Sequence, residues 1–358
     1  VGLVVVTGAS GFVGTSLCQA LLAEGREVRG VDLVAPPAEA GLDGIEHVTA
    51  DVRDAAAVRR ALAGADVVFH LAGRESTNGD PDGSVWATNV DGTRNVIDAA
   101  LAEGVRRLIH TSSLHAFDLD QHRRANPPRR VGKPLRKRTV PGARLDETAA
   151  PATREELPAY DRSKAAGDYA VREGIAKGLD AVLVHPTTVI GPLDLAPTWL
   201  GALLADIARR KPLPLVTGVL DWVDVRDAAE GLLAAERAGR RGERYLLSGT
   251  SVPLRRLARF VAHANGVQPP TFVVPRQAAG LGIPLLSGLL RDGHGQSFTP
   301  EVLRALTLGT RVSREKAAGQ LGYRPRPLEQ TAADIVEWLV ASGRVKRRGA
   351  PLQGRPGD

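Results

Sequence analysis

Tyr160 and Lys164 stand four residues apart in the stretch Ala159 to Lys177, whose apolar spacing predicts a helix, so the two side chains share one face. A phenol titrates near pH ~10 and is almost inert as a base at neutral pH. A fixed ammonium one turn away favours the phenolate and lowers that pKa, which would make Tyr160 a general acid or base. Alone, such a pair is more often an inconsequential feature of a helix surface. Ser113 adds a hydroxyl at the end of an apolar strand, Arg106 to Ser112, where it would hydrogen-bond a carbonyl or alcohol and align it beside Tyr160. The competing role for Ser113 is an ordinary turn or helix cap. His115, two residues on, reads equally as a substrate ligand or a structural histidine.

What would bring strand end and helix together is set by the front of the chain. Val4-Val5-Val6-Thr7 is a β-branched run, and Gly8, Gly11 and Gly14 follow it at intervals of three, with an amphipathic stretch from Ser16 to Glu24 behind them. That is strand, tight turn and helix start. Gly8 permits the turn, Gly11 allows close backbone approach to a pyrophosphate, and Gly14 lets helix lie on strand. The first-turn N–H groups, around Phe12 and Val13, would face phosphates where the helix dipole favours negative charge. A second strand, Glu27 to Asp32, ends in a carboxylate that can take both ribose hydroxyls of an adenosine and would repel a 2′-phosphate. No Arg directly follows Asp32, so NAD is expected over NADP.

Further along, Glu46 to Asp51 reads as a strand, Asp54 as a helix cap, Asp66 to Gly73 as a buried strand, and a long helix runs through Asn89 to Ala100. This β-α alternation predicts an α/β fold with a doubly wound parallel sheet, of Rossmann type, followed by a smaller C-terminal substrate lobe. The expected limits are 1–192 for the dinucleotide-binding domain and 193–342 mainly for the lobe, with 218–249 returning to the sheet and 343–358 a flexible basic tail.

These residues carry a resemblance. Thr7-Gly8-x-x-Gly11-x-x-Gly14, Asp51-Val52, His70-Leu71-Ala72-Gly73, Asn89-Val90-x-Gly92-Thr93, Thr111-Ser112-Ser113 and Tyr160-Asp161-Arg162-Ser163-Lys164 are similar, in order, to the signatures of extended short-chain dehydrogenase/reductases. His185 to Pro192, Trp222 to Asp227 and Leu321 to Pro325 match later signatures of that family. The resemblance implies that Ser113, Tyr160 and Lys164 are catalytic, with Lys164 also holding the nicotinamide ribose. It implies cofactor contacts from Asp51 and Val52 at the adenine, from Leu71, Ala72 and Gly73, from Asn89 in support, from Thr111, and from Pro186, Thr188 and Val189 over the nicotinamide. His185 falls where the family often has Arg.

Within that family, dehydratases usually place an acid pair directly after the catalytic Ser or Thr. Here Leu114 and His115 follow Ser113, which disfavours dehydration. His185-Pro186-Thr187-Thr188-Val189-Ile190-Gly191-Pro192 is nearer the dihydroflavonol-reductase and hydroxysteroid-dehydrogenase branch than the nucleotide-sugar enzymes. The expectation is redox chemistry on a ketone or secondary alcohol of a small molecule. A cofactor-retaining sugar epimerase is the alternative, and a non-catalytic dinucleotide sensor a remoter one. Trp199 and Trp222 are candidate walls for an apolar substrate ring, although aromatic residues there more often form lobe core. Homodimerisation is a family expectation only.

The net charge of +7 is unevenly spread: 118–144 carries +7 and 344–358 carries +4, leaving the remainder at −4. The high pI therefore belongs to two segments, and a nucleic-acid-binding face is disfavoured. The basic insertion 118–143, with Pro127-Pro128 and few apolar residues, reads as a solvated loop, or alternatively as a lid over an acidic substrate. No apolar run is long enough to cross a bilayer, no export leader is expected, and the single Cys18 reads as a packing residue. A cytoplasmic protein without a metal is expected.

Overall fold

The computed structural model describes residues 2–76, 78–127, 129–131, 138–140, 143–211, 215–274, 304 and 309–350. The chain divides into two compact units, each with its own core.

The first unit, Val1–Thr187 with Val225–Ser248 and Arg311–Arg324, is built on a seven-stranded parallel sheet. Its order across the sheet is Arg244–Leu247, Ala181–Pro186, Arg107–Thr111, Ala65–His70, Leu3–Thr7, Val28–Asp32 and Glu46–Thr49. The chain winds outward from Leu3–Thr7 in one direction, then returns to that strand's other side with Ala65–His70. At that reversal the loops leaving the two central strands diverge and open a crevice at the sheet's C-terminal edge. Side chains alternate between faces. Val5, Val68, Leu108 and Leu183 point to one layer of core, where they pack against Val96 and Ile97 of the helix Gly92–Ala102 and Ala170 and Val171 of the helix Ala159–Ala176. Phe12–Ala23 and Val225–Ala238 pack against each other as another helical pair. Each large aliphatic side chain so buried contributes about 2 kcal/mol.

Asp54 caps its helix as expected, accepting from the Ala56 and Ala57 N–H groups. Cys18 is buried, and burial together with the Asp32 carboxylate pushes its thiol up to about 12. The folded protein should therefore ignore an aromatic disulfide reagent at pH ~8 and release one equivalent of chromophore only once urea unfolds it. Rapid labelling of the native chain would contradict this packing.

The second unit is Thr188–Asp224, Gly249–Thr310 and Pro325–Asp358. A three-stranded sheet of Thr250–Pro253, Val219–Asp224 and Thr188–Ile190 joins the helices Trp199–Ala208, Leu254–Ala264 and Leu328–Ala341. Leu254, Leu257, Ala258 and Val261 recur at helical spacing and face Ile335, Val336 and Leu339 in its core.

Several expectations need correcting. Val219–Asp224 groups with the second unit and Arg311–Arg324 with the first, because Val219–Asp224 pairs with Thr188–Ile190 and Thr250–Pro253 instead of the main sheet. The start of the basic stretch is not loop. Asp118, buried and ion-paired with Arg154 at 2.5 Å, caps a helix over Leu119–Ala125. Arg129–Val131 then pairs antiparallel with Arg138–Val140. The remaining residues of that stretch, 128, 132–137 and 141–142, lie outside the described residues, and the lid expectation falls largely on them. Nor is 344–350 a loose tail. Arg344 donates to the Asp194 and Leu195 carbonyls, Val345 is buried, and Asn265 donates to the Lys346 carbonyl. Residues 351–358 lie outside the described residues. Among the described residues, no helix is long and apolar enough to cross a membrane, and no cluster of His, Cys, Asp and Glu could hold a metal ion.

Candidate active site

The glycine turn joins Leu3–Thr7 to the helix Phe12–Ala23. Gly8 has φ +74°, a left-handed conformation, and a Cβ there would sit 2.7 Å from the Ala72 nitrogen. A Cβ at Gly14 would overlap the Gly8 carbonyl oxygen and lie 2.9 Å from Ala9 Cα. Gly11 is the helix N-cap and offers no side chain to the first turn, so no side chain caps the N–H groups there. Asp32, closing the next strand, accepts from the Ser10 N–H at 2.9 Å and the Leu33 N–H at 2.7 Å, which pins the turn against the carboxylate.

The loop after Ala65–His70 ties this turn to the candidate catalytic helix. Leu71 N–H donates to the Thr7 carbonyl, and Ala72 N–H to the Thr7 hydroxyl. One residue further, a Cβ at Gly73 would stand 3.1 Å from Lys164 Nζ and 3.2 Å from Asn89 Oδ1. Asn89 lies in a widened, π-helical turn over Ala87–Asp91, as helices often widen at functional sites. Its carbonyl oxygen accepts from Arg74 N–H at 2.7 Å, and its amide donates to the Arg74 carbonyl and the Ser163 hydroxyl, both at 2.9 Å. Asn89 thus clamps the loop to the helix that carries Tyr160 and Lys164.

On that helix, Ala159–Ala176, Tyr160 is half-buried, and the Ser113 hydroxyl is near enough to favour its phenolate. The Ser113 hydroxyl also accepts from His115 N–H at 3.2 Å, so the capping role and the site role coincide in one side chain. His115 Nδ1 bonds the buried Asp161 carboxylate at 2.9 Å, and its ring centroid lies 5.7 Å from that of Tyr160. The electrostatics differ from expectation. Burial first, then the carboxylates of Glu75 and Asp161, push the Tyr160 phenol well above its usual range against the pull of Ser113. The protein alone holds Tyr160 as a phenol, because burial, Glu75 and Asp161 outweigh the effect of Ser113. Lys164 is itself pushed down by burial, opposed by Asp168 and Glu75.

The other sequence candidates divide. Thr111 is buried, and its hydroxyl finds no partner within the protein. Pro186 ends its strand, buried. Asp51 is clasped by Arg53 at 2.6 Å, which holds its carboxyl low. The Val52 side chain is core, directly over Gly92. Thr188 and Val189 lie in the second unit, in the strand Thr188–Ile190. Trp222, expected as a pocket wall, is only 1% exposed, and its Nε1–H is satisfied by the Val252 carbonyl at 3.0 Å. It is lobe core, as a buried indole with a partnered N–H generally is. Trp199 is partly buried against the same core.

Residues 4–248 match the NAD dependent epimerase/dehydratase family. The chain belongs to that family. Across 95% of its length and 99% of the relative's, this family member is 30% identical to sterol demethylase protein B of Methylococcus capsulatus. It is 28% identical to a putative dihydroflavonol 4-reductase of Synechocystis, over 95% of each chain. The crystal structure of gox2253 superposes with a TM-score of 0.75 at 30% identity, covering 96% of this chain and 99% of that one.

Two features of this family member escaped the sequence reading. Glu75 reaches the Tyr160–Lys164 pair from the loop pinned by Asn89, a placement no spacing announces. Asp168 was visible in principle, since it sits one turn past Lys164 on the same helical face.

Proposed function

We propose that this chain is an NAD-dependent oxidoreductase that interconverts a ketone and a secondary alcohol of a small molecule, with Tyr160 as acid and base. One observation carries the reading: a phenol on which the Ser113 hydroxyl acts, with Lys164 one turn away, tied through Gly73 and Ala72 to the glycine turn. The residues fit a dinucleotide. An uncapped helix start, a turn that admits no Cβ at Gly8 or Gly14, and the Asp32 carboxylate at the neighbouring strand end would take phosphates and adenosine ribose. Lys164 and the main chain at Leu71–Gly73 would hold the nicotinamide end. When bound, NADH supplies the hydride.

The chain's own residues then do the rest. Ser113 and Tyr160 donate hydrogen bonds to the ketone oxygen and polarise it. As carbon accepts hydride, Tyr160 passes its proton to the oxygen, and the alcohol leaves a phenolate that the Lys164 ammonium stabilises. A phenol held protonated by burial and by Glu75 is the form that reduction requires. His115, oriented by Asp161, flanks the reacting oxygen's side of Tyr160 and is proposed as a substrate contact.

The test is a panel of aliphatic, aromatic and polycyclic ketones with purified protein, followed by the absorbance of the reduced nicotinamide, with NADH and NADPH in parallel. At least one ketone should consume NADH, and NADPH should be about tenfold poorer because Asp32 repels the extra phosphate. Conversion of a sugar nucleotide to its epimer without net NADH change, with no ketone reduced, would replace this reading by the epimerase one.

A further inference from the structure

Behind Lys164, on the side away from Tyr160, the first unit buries an unusual set of titratable groups. Asp168, 6% exposed, follows Lys164 by one turn. His185 Nε2, from the strand Ala181–Pro186, bonds its Oδ2 at 2.7 Å, and the His185 ring meets that of Phe117 at a tilt, with centroids 5.0 Å apart. His110 Nε2, from Arg107–Thr111, stands 3.7 Å from its Oδ1. His70, the register partner of His110 on Ala65–His70, has its ring 5.4 Å from that of His110. Thr7 and Thr93 hold His70 at 2.7 and 3.0 Å. Arg244, from the edge strand, also feels Asp168, and Arg172 on Asp168's own helix opposes Arg244.

We propose that Asp168 is a positioning residue of the candidate active site: clamped by His185, its carboxylate is the buried counter-charge that keeps the Lys164 ammonium charged and seated beside Gly73 and Asn89. The inference rests on the proposed partnership of Lys164 with Tyr160.

The charge balance selects Asp168. Burial holds His70 far below its usual range and pushes His110 down to about 3, so both imidazoles are neutral near neutral pH. Neither can serve as a cation there, and neither repels Lys164. Burial pushes Asp168 up, but His185, His110 and Ser112 together hold it below the usual carboxylate range, so it stays an anion. Lys164, 9% exposed, is pushed down by burial and supported first by Asp168, then by Glu75. Glu75 is exposed and screened by solvent; Asp168 is not. Asp168 and Lys164 are one helical turn apart and both buried, and removing one of two opposed buried charges is more unfavourable than removing both.

The chain has seven lysines, so lysine 13Cε resonances are few, and the Lys164 signal is the one lost in Lys164→Met. Its titration midpoint should fall to lower pH in Asp168→Asn and return toward that of the parent protein in Asp168→Glu. The sign follows from the counter-charge: without it, the buried ammonium gives up its proton earlier as pH rises. Urea unfolding of the Asp168→Asn, Lys164→Met and double variants supplies a second readout. The double variant should unfold at a higher midpoint than Asp168→Asn alone, and that comparison still decides if the single variant is too unstable to titrate. An unmoved Lys164 titration in folded Asp168→Asn, or strictly additive midpoints, would overturn the proposal. Neither readout involves substrate, so a chain that reduces no ketone leaves this result standing, and an unshifted lysine leaves the redox reading untouched.

Discussion

Tyr160→Phe should lower turnover by about 10³-fold with any ketone the protein reduces, while NADH binds with an unchanged Kd. The phenyl ring fills the same half-buried space, so packing is kept and only the oxygen is lost. What goes with it is the proton that must reach the nascent alkoxide and the phenol's own hydrogen bond to the ketone oxygen. Ser113 would still polarise the carbonyl, but an aliphatic hydroxyl is too weak an acid to supply that proton. Stopped-flow turnover together with NADH fluorescence titration separates chemistry from binding. A variant that turns over at the parental rate would remove Tyr160 from the chemistry and leave Ser113 and His115 to account for it.

Gly14→Ala should lower the urea midpoint and weaken NADH binding more than tenfold. A single methyl there meets the Gly8 carbonyl oxygen and the Ala9 Cα, both main-chain atoms that cannot swing aside. The helix would have to back away from the strand, at a cost of about 1–3 kcal/mol for overpacking, and its first turn would leave the phosphate position. Gly25→Ala is the natural control. Gly25 has φ +70° but nothing within 4 Å of a Cβ, so that variant meets only the left-handed penalty of about 1 kcal/mol and should bind NADH normally. Equal binding by the two variants would mean that the close approach at Gly14 does not shape the cofactor site.

Much of this was legible in the sequence because it is local. The glycine spacing, the carboxylate of Asp32 at a strand end, and the four-residue offset of Tyr160 and Lys164 each follow from one period or one turn. Ser113 was legible as a strand-end hydroxyl, and the structure brings it near enough to act on the Tyr160 phenol. What escaped depends on distant segments meeting. The phenol is pushed up because it is buried and because Glu75 and Asp161 converge on it, whereas the Lys164 spacing by itself predicts the opposite sign. Trp222 lies in a stretch whose apolar residues look the same whether they line a pocket or fill a core. The segment 344–350 is rich in charge, yet it is held through main-chain oxygens of Asp194, Leu195 and Lys346 that composition cannot reveal.

The widened turn at Ala87–Asp91 carries a constraint of its own. Each residue of a helix turns the chain by about 100°, so deleting one residue there to restore regular winding would swing Thr93, Val96 and Ile97 off the face they now present to the sheet. It would also carry Asn89 out of reach of Arg74 and Ser163. The surplus residue is therefore part of the reading frame between backbone and cleft. In this segment, chain length is as much a determinant of the site as side-chain identity.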